Sequence, residues 1–175
     1  FSADGQQIVA GGVDGKVLSW TIATGEMRTM GEQSESLEVA GIQSIEFSPD
    51  GRQGATAGLD GSVVIWNAET GARMTTLRHD ARVLALSFGG TTQDALLASV
   101  DEGGVAKIWD AQTFVERREI KSYSAPLYST AFSRDGRFLV TAGNDLSIWE
   151  TAIGARMRVN AKHGRLFAAS ITPRG

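Results

Sequence analysis

The chain has 175 residues, a net charge of −3, 42% hydrophobic residues, 21 glycines, three prolines and no cysteine. The hydrophobic share is enough for a buried core, and the lack of cysteine excludes disulfides and thiolate metal sites in this chain. The small negative charge gives no overall drive toward nucleic acid, and no apolar run approaches the roughly 18–20 residues that span a bilayer. Many glycines with few prolines indicate many tight turns.

Two sequence markers recur along the chain in the same order. Four phrases end in tryptophan, at Trp20, Trp66, Trp109 and Trp149, which lie 46, 43 and 40 residues apart. A second phrase, clearest at Phe47-Ser48-Pro49-Asp50-Gly51, has copies that begin at residues 1, 88 and 132. Two markers with a shared period of about 40–45 residues predict a repeat protein. The predicted repeats are 1–41, 42–82, 83–126 and 127–165.

The second repeat shows most clearly what one repeat forms. Short runs rich in Val, Ile and Ala alternate with Gly-containing turns, and Asp60-Gly61 is a strong hairpin signal. Four strands are predicted, over residues 42–47, 53–57, 62–66 and 73–77. A four-stranded sheet of this size cannot bury both of its faces alone, so neighbouring repeats must stack.

The two ends of the chain contain different parts of one repeat. The first repeat lacks an opening strand, and residues 166–171 predict a spare one followed by Thr172-Pro173-Arg174-Gly175, a further copy of the turn phrase. We therefore expect this strand to complete the first sheet. Two alternatives remain open: the chain is a segment of a longer ring, or two chains pair to close one.

The phrases resemble those of the WD-repeat β-propeller family, in which four-stranded antiparallel blades are arranged around a central channel. The resemblance covers almost the whole chain and implies an all-β propeller with four blade-equivalents, either half of an eight-bladed ring or a segment of a larger one. Family blades contain a buried network of His, Ser or Thr, Asp and Trp. The matching positions here are Asp14, Trp20, Thr56, Asp60, Trp66, His79, Ser99, Trp109, Thr141, Trp149 and His163.

No repeat carries the complete family network. Glu38 stands at the His position of the second repeat, Tyr123 at that of the fourth, and Ala10 at the hydroxyl position of the first. A partly satisfied buried network stabilises less than a complete one. We therefore expect blades that depend on their neighbours.

The residues give no catalytic constellation. The two histidines match family structural positions, and the serines and aspartates of the Phe-Ser-x-Asp-Gly phrases belong to turns. No Gly-rich loop opens a helix as a phosphate-binding loop would. Basic residues cluster only weakly, at residues 117–121 and 156–165, and lack interleaved aromatics, so a solvated surface is favoured over nucleic-acid binding. We expect no enzyme activity, no cofactor and no metal.

The predicted function is a protein or peptide interaction scaffold, since loops on a rigid frame offer a wide binding face. The resemblance places partners on the face that carries the Gly-His and Asp-turn loops, at Gln43, Leu59, Arg82, Asn144 and Arg165. The alternatives are a regulatory or sensory domain of a larger enzyme, or a ligand- or metal-binding propeller. A homodimer that closes an eight-bladed ring, a cytoplasmic location without membrane contact, and a bacterial source are also expected.

Overall fold

The computed structural model describes residues 1–2, 4–33, 41–122, 125–157 and 164–171. It contains no helix in these ranges, and therefore none that is long and apolar enough to span a membrane. The strands, in chain order, are β1 (Gln7–Gly11), β2 (Lys16–Thr21), β3 (Met27–Glu32), β4 (Ile42–Phe47), β5 (Gln53–Gly58), β6 (Ser62–Asn67), β7 (Arg73–Arg78), β8 (Val83–Gly90), β9 (Ala95–Asp101), β10 (Val105–Asp110), β11 (Glu116–Lys121), β12 (Ser129–Phe132), β13 (Phe138–Ala142), β14 (Leu146–Glu150) and β15 (Ala155–Met157).

These strands form four antiparallel sheets in which sequence neighbours pair. The first sheet has three strands, β1-β2-β3, and the other three have four, β4 to β7, β8 to β11 and β12 to β15. The all-β prediction of short antiparallel strands is therefore confirmed. The chain divides into two compact units, Phe1–Val83 and Leu84–Gly175, and each unit contains two of the sheets.

In the first unit, the two sheets pack through one face of each. Val17 of β2 is buried against Val64 and Trp66 of β6, and Val9, Met30 and Ile42 complete the cluster. Close approach of the sheets requires glycine. A Cβ at Gly11 would lie 2.5 Å from Ile42 Cγ2, and one at Gly31 would lie 2.5 Å from the Trp66 ring.

In the second unit, one hydrophobic cluster joins both sheets. Leu96, Val100 and Ile108 of the third sheet pack with Phe132 and Leu139 of the fourth. A hydrogen bond also joins the two sheets: the backbone N–H of Phe132 in the fourth sheet donates to Ser87 Oγ in the third at 3.1 Å.

An arginine clamps neighbouring sheets together in each unit. Arg28 of β3 donates to the Glu69 carbonyl at 2.9 Å, in the turn between β6 and β7. Arg118 of β11 donates in the same way to the Ala152 carbonyl at 2.8 Å, in the turn after β14. Both arginines pair with the residue that precedes a tryptophan, Ser19 or Ile108, so the two clamps occupy equivalent positions.

The strand predicted over residues 166–171 is absent from this structure. The described residues 164–171 form no strand and lie against the fourth sheet. The Leu166 N–H donates to the Gly143 carbonyl at 2.7 Å, and the Ala169 N–H donates to Ser129 Oγ at 3.1 Å. A segment becomes a strand only when a neighbouring strand bonds its backbone, and no described strand pairs with residues 166–171.

Candidate functional site

A chain of buried hydrogen bonds crosses the second sheet and ends at its β5–β6 turn. Trp66 Nε1 donates to Thr56 Oγ1 at 2.8 Å, and Thr56 Oγ1 donates in turn to Gln33 Oε1. Gln33 Nε2 donates to Ser62 Oγ at 2.8 Å, and Ser62 Oγ donates to Asp60 Oδ1 at 2.6 Å. The tryptophan is thus linked through three further side chains to the aspartate of the turn.

Gln33 is the network residue that sequence reasoning missed. It is only 2% exposed and occupies the centre of the network. Glu38, predicted at the corresponding His position, lies outside the described residues, as do Tyr123 and His163. Spacing from the preceding tryptophan would have found Gln33, because Gln33 follows Trp20 by 13 residues and His79 follows Trp66 by the same number.

The later repeats keep the bond between tryptophan and hydroxyl. Trp109 Nε1 donates to Ser99 Oγ at 2.8 Å, and Trp149 Nε1 donates to Thr141 Oγ1 at 2.9 Å. In the third sheet, Asp101 is 2% exposed and accepts the Val105 N–H at 2.8 Å. In this repeat Gly103 stands at the aspartate position of the turn, and Asp101 supplies the carboxylate that bonds the turn instead.

The first sheet departs from this pattern. Trp20 is only partly buried, and the hydroxyl position ten residues before it is occupied by Ala10, which pairs with Leu18. Asp14 is exposed, and its Oδ1 accepts the Lys16 N–H at 3.2 Å. The prediction that Asp14 and Trp20 share a buried network is therefore wrong, because the exposed turn keeps the carboxylate in solvent.

The predicted partner-binding residues lie at one end of their strands within each unit. In the first unit, Ile42 pairs with Gly58, which brings Gln43 and Leu59 to the same end of the second sheet. Leu59 is half-buried, whereas Gln43 and Arg82 are exposed. His79, three residues before Arg82, is buried, and its N–H donates to the Gly61 carbonyl at 2.9 Å.

In the second unit, Asn144 and Arg165 are exposed and lie close together. Asn144 follows β13 and donates through Nδ2 to the Ala125 carbonyl at 2.8 Å. Arg165 precedes Leu166, whose N–H donates to the carbonyl of Gly143. The structure thus brings two predicted positions together at this end of the fourth sheet.

At the opposite strand ends, aspartate carboxylates accept hydrogen bonds within their own turns. Asp50 Oδ1 accepts from Ser48 Oγ at 2.6 Å and from the Arg52 N–H at 3.1 Å, and Asp4 and Asp135 repeat this pattern. The pKa of each aspartate is lowered, chiefly by its serine hydroxyl. These groups stay ionised as hydrogen-bond acceptors.

Asp110 has a similar role after the third tryptophan. Its Oδ1 accepts the N–H groups of Gln112 and Thr113, and its Oδ2 accepts from Arg117. The bond from the Thr113 amide is the main cause that holds the pKa of Asp110 well below its usual range, and Arg117 lowers it further. Among the described residues, no group of three or more His, Asp or Glu is placed to hold a metal ion.

The family model described as WD domain, G-beta repeat matches residues 31–67 and 115–149. A solved chain titled Crystal Structure of Mitotic Checkpoint Complex superimposes with a TM-score of 0.80 and 21% identity, over 91% of this chain and 48% of that chain. The fold is that of a WD-repeat β-propeller. The four sheets are therefore propeller blades, and within the described residues the first lacks its innermost strand.

Two curated relatives are both called Nuclear distribution protein PAC1, from Arthroderma benhamiae and Trichophyton verrucosum. Each is 32% identical over 87 residues, which cover 45% of this chain and 19% of the relative. The chain thus spans about a fifth of the length of these relatives. Both relatives are fungal, so they give no support to the expected bacterial source.

Proposed function

We propose that this chain is a non-enzymatic scaffold that binds protein partners at the blade ends carrying the β5–β6 and β13–β14 turns. The observation that carries the proposal is the buried chain from Trp66 to Asp60. It holds the β5–β6 turn on a rigid blade while Leu59 remains half-exposed. Residues that are fixed by an interior network and still accessible are suited to recognition.

The partner-binding residues in this proposal are Gln43, Leu59 and Arg82 of the first unit, and Asn144 and Arg165 of the second. Leu59 supplies apolar contact, and the other four supply hydrogen bonds or positive charge. Such mixtures are typical of the core and rim of protein interfaces.

Site-specific photocrosslinking tests the proposal. A photoreactive residue at Leu59 is expected to capture discrete proteins from the source cell, and the substitution Arg82→Glu in the same chain is expected to reduce this capture. A photoreactive residue at Ile22, which is 50% exposed in the β2–β3 turn at the other strand ends, is the matched control. Equal capture from both positions would contradict the proposed face.

We also propose that two chains pair to close an eight-bladed ring. Two features support this. The first blade has three strands, and its outer face leaves Ile8 41% and Met27 57% exposed. In addition, the Leu166 N–H bonds to Gly143 as the Ile42 N–H bonds to Gly12, so residues 166–171 begin where the opening strand of a further blade begins.

Light scattering tests this pairing. The chain has a mass of 18.6 kDa, so a pair has about twice that mass. We expect the dimer mass, and deletion of residues 166–175 is expected to abolish it. A well-behaved monomer of the intact chain would overturn the pairing and leave the scaffold proposal untouched.

A further inference from the structure

A cleft of about 400 Å³ opens between the third and fourth blades, within the second unit. It lies at the strand ends opposite Asn144, because its walls include Asp135 to Arg137 after β12 and Thr151 and Ala152 after β14. Leu96 and Ile108, which are nearly fully buried, form an apolar floor. The cleft is therefore distinct from the partner face proposed above.

Three arginines surround this floor. Arg117 is paired with Asp94 at 3.0 Å and with Asp110 at 2.5 Å, and Arg118 donates to the Ala152 carbonyl. Arg137 differs, because its guanidinium lies 5.3 Å from the centre of the Phe138 ring and forms no direct ion pair with a described residue, while its charge acts on the nearby Asp135 carboxylate. One of the three cations thus has no described carboxylate within ion-pair distance.

Thr151 adds a second unmet polar group. Its Oγ1 is buried and has no hydrogen-bond partner among the described residues. Buried polar atoms without a partner are uncommon in folded proteins. Because a hydroxyl donates and accepts, a ligand carboxylate in the cleft would satisfy this group.

The equivalent cleft of the first unit shows that the charge is not a property of the fold. That cleft has a volume of about 260 Å³ and lies between the first and second blades. Its walls contain Asp4, Asp50 and Glu69, and the residue equivalent to Thr151 is Ala68. The described lining of the first cleft thus has three carboxylates and no cation, whereas that of the second has three arginines beside two carboxylates, Asp94 and Asp135, and also has the Thr151 hydroxyl.

We propose that the cleft between the third and fourth blades binds an acidic peptide segment in which one aliphatic side chain stands between carboxylates. The aliphatic side chain packs on Leu96 and Ile108, and the flanking carboxylates bind Arg137 and the Thr151 hydroxyl. Arginine suits this role because its planar guanidinium presents several donors to a carboxylate. The apolar floor favours a peptide over a nucleic acid, whose backbone offers no aliphatic anchor.

Fluorescence anisotropy with a labelled peptide Gly-Glu-Glu-Leu-Glu-Glu-Gly tests the proposal on the intact chain. We expect saturable binding that Arg137→Ala weakens about 10-fold, the effect of one lost charge-assisted hydrogen bond. Thr151→Val, which keeps the shape of the side chain, is expected to weaken binding by about 3-fold. Replacing the four peptide glutamates with glutamine, or its leucine with serine, should each reduce affinity.

Arg52→Ala is the matched control, because Arg52 follows Asp50-Gly51 as Arg137 follows Asp135-Gly136. It should leave binding unchanged, and the melting temperatures of both variants should stay near that of the parent. Binding that ignores Arg137, or no saturable binding, overturns the proposal. Tighter binding of a single-stranded oligothymidylate with the same Arg137 dependence overturns it in favour of nucleic acid. Photocrosslinking at Leu59 is independent of each of these outcomes.

Discussion

The first and second blades are built from the same repeat phrase but differ in strand number, in the burial of their tryptophan and in their hydrogen-bond network. The second blade has four strands, a Trp66 that is 4% exposed, and a continuous buried network through Gln33. The first has three strands, a partly buried Trp20, and Ala10 in place of the hydroxyl. The comparison therefore separates what the repeat phrase contributes to stability from what the buried hydrogen-bond network contributes.

Removal of the tryptophans should give the largest contrast. Trp66→Ala is expected to destabilise by about 3–5 kcal/mol from lost burial, and by a further 1 kcal/mol or so from the lost bond to Thr56. Trp20→Ala should cost about half as much, because its side chain is only partly buried and has no hydroxyl opposite it. Urea midpoints measured by circular dichroism compare the two, and equal midpoints would show that the network contributes nothing.

Gly31→Ala tests how much close packing between the first and second blades contributes to stability. The new Cβ would meet the Trp66 ring at 2.5 Å, so the first blade must move away from the second. We expect a loss of about 1–3 kcal/mol, as for other overpacked contacts. Gly164→Ala is the control, because nothing lies within 4 Å of that position. A thermal melt of Gly31→Ala like that of the parent would mean that the ring can yield without cost.

Gln33→Leu tests the network itself. It leaves the hydroxyls of Thr56 and Ser62 without their amide partner in a buried site, which is expected to cost about 1–3 kcal/mol. Gln7→Leu is the counterpart in the first blade, where Gln7 Oε1 accepts from Ser19 Oγ at 2.8 Å in a half-buried setting. The cost there should be smaller. Differential scanning calorimetry should rank the pair, and the reverse order would place the stronger network in the first blade.

The smallest effect concerns the turn after the tryptophan, where Asn67 in the second blade and Asp110 in the third both accept two backbone N–H groups. Only Asp110 titrates. Because its folded pKa is lowered, it stabilises above its unfolded pKa near 4, and this stability is lost as pH falls below that value.

Asp110→Asn should therefore cost about 1 kcal/mol or less at pH 7 and flatten the stability profile below pH 4. Asn67→Ala, which removes a turn acceptor that does not titrate, should cost stability equally at both pH values. Denaturant midpoints at pH 3 and pH 7 check both variants, and an unchanged acid profile for Asp110→Asn would count against the role of the carboxylate.

The sequence predicted the strands of the second blade to within a residue, because Asp-Gly turns and Val- and Ile-rich runs report local geometry. Gln33 was missed because the loop before the second blade is longer than the family phrase, so that counting back from Phe47 reached Glu38, whereas counting forward from Trp20 reaches Gln33. The sequence could not show that Asp14 is exposed, because burial depends on the turn around it. The opposite charges of the two clefts emerge only when turns distant in sequence meet.

The arginine clamps have a consequence for how the blades open. An outermost strand pairs on one side only, so β3 would by itself exchange its amide hydrogens early, through local fraying. The bond from Arg28 to the Glu69 carbonyl ties that strand to a turn 41 residues away. Opening of β3 must therefore break a contact with the second blade, and the slow-exchanging amides of both blades are expected to exchange as one cooperative unit that Arg28→Ala would split in two.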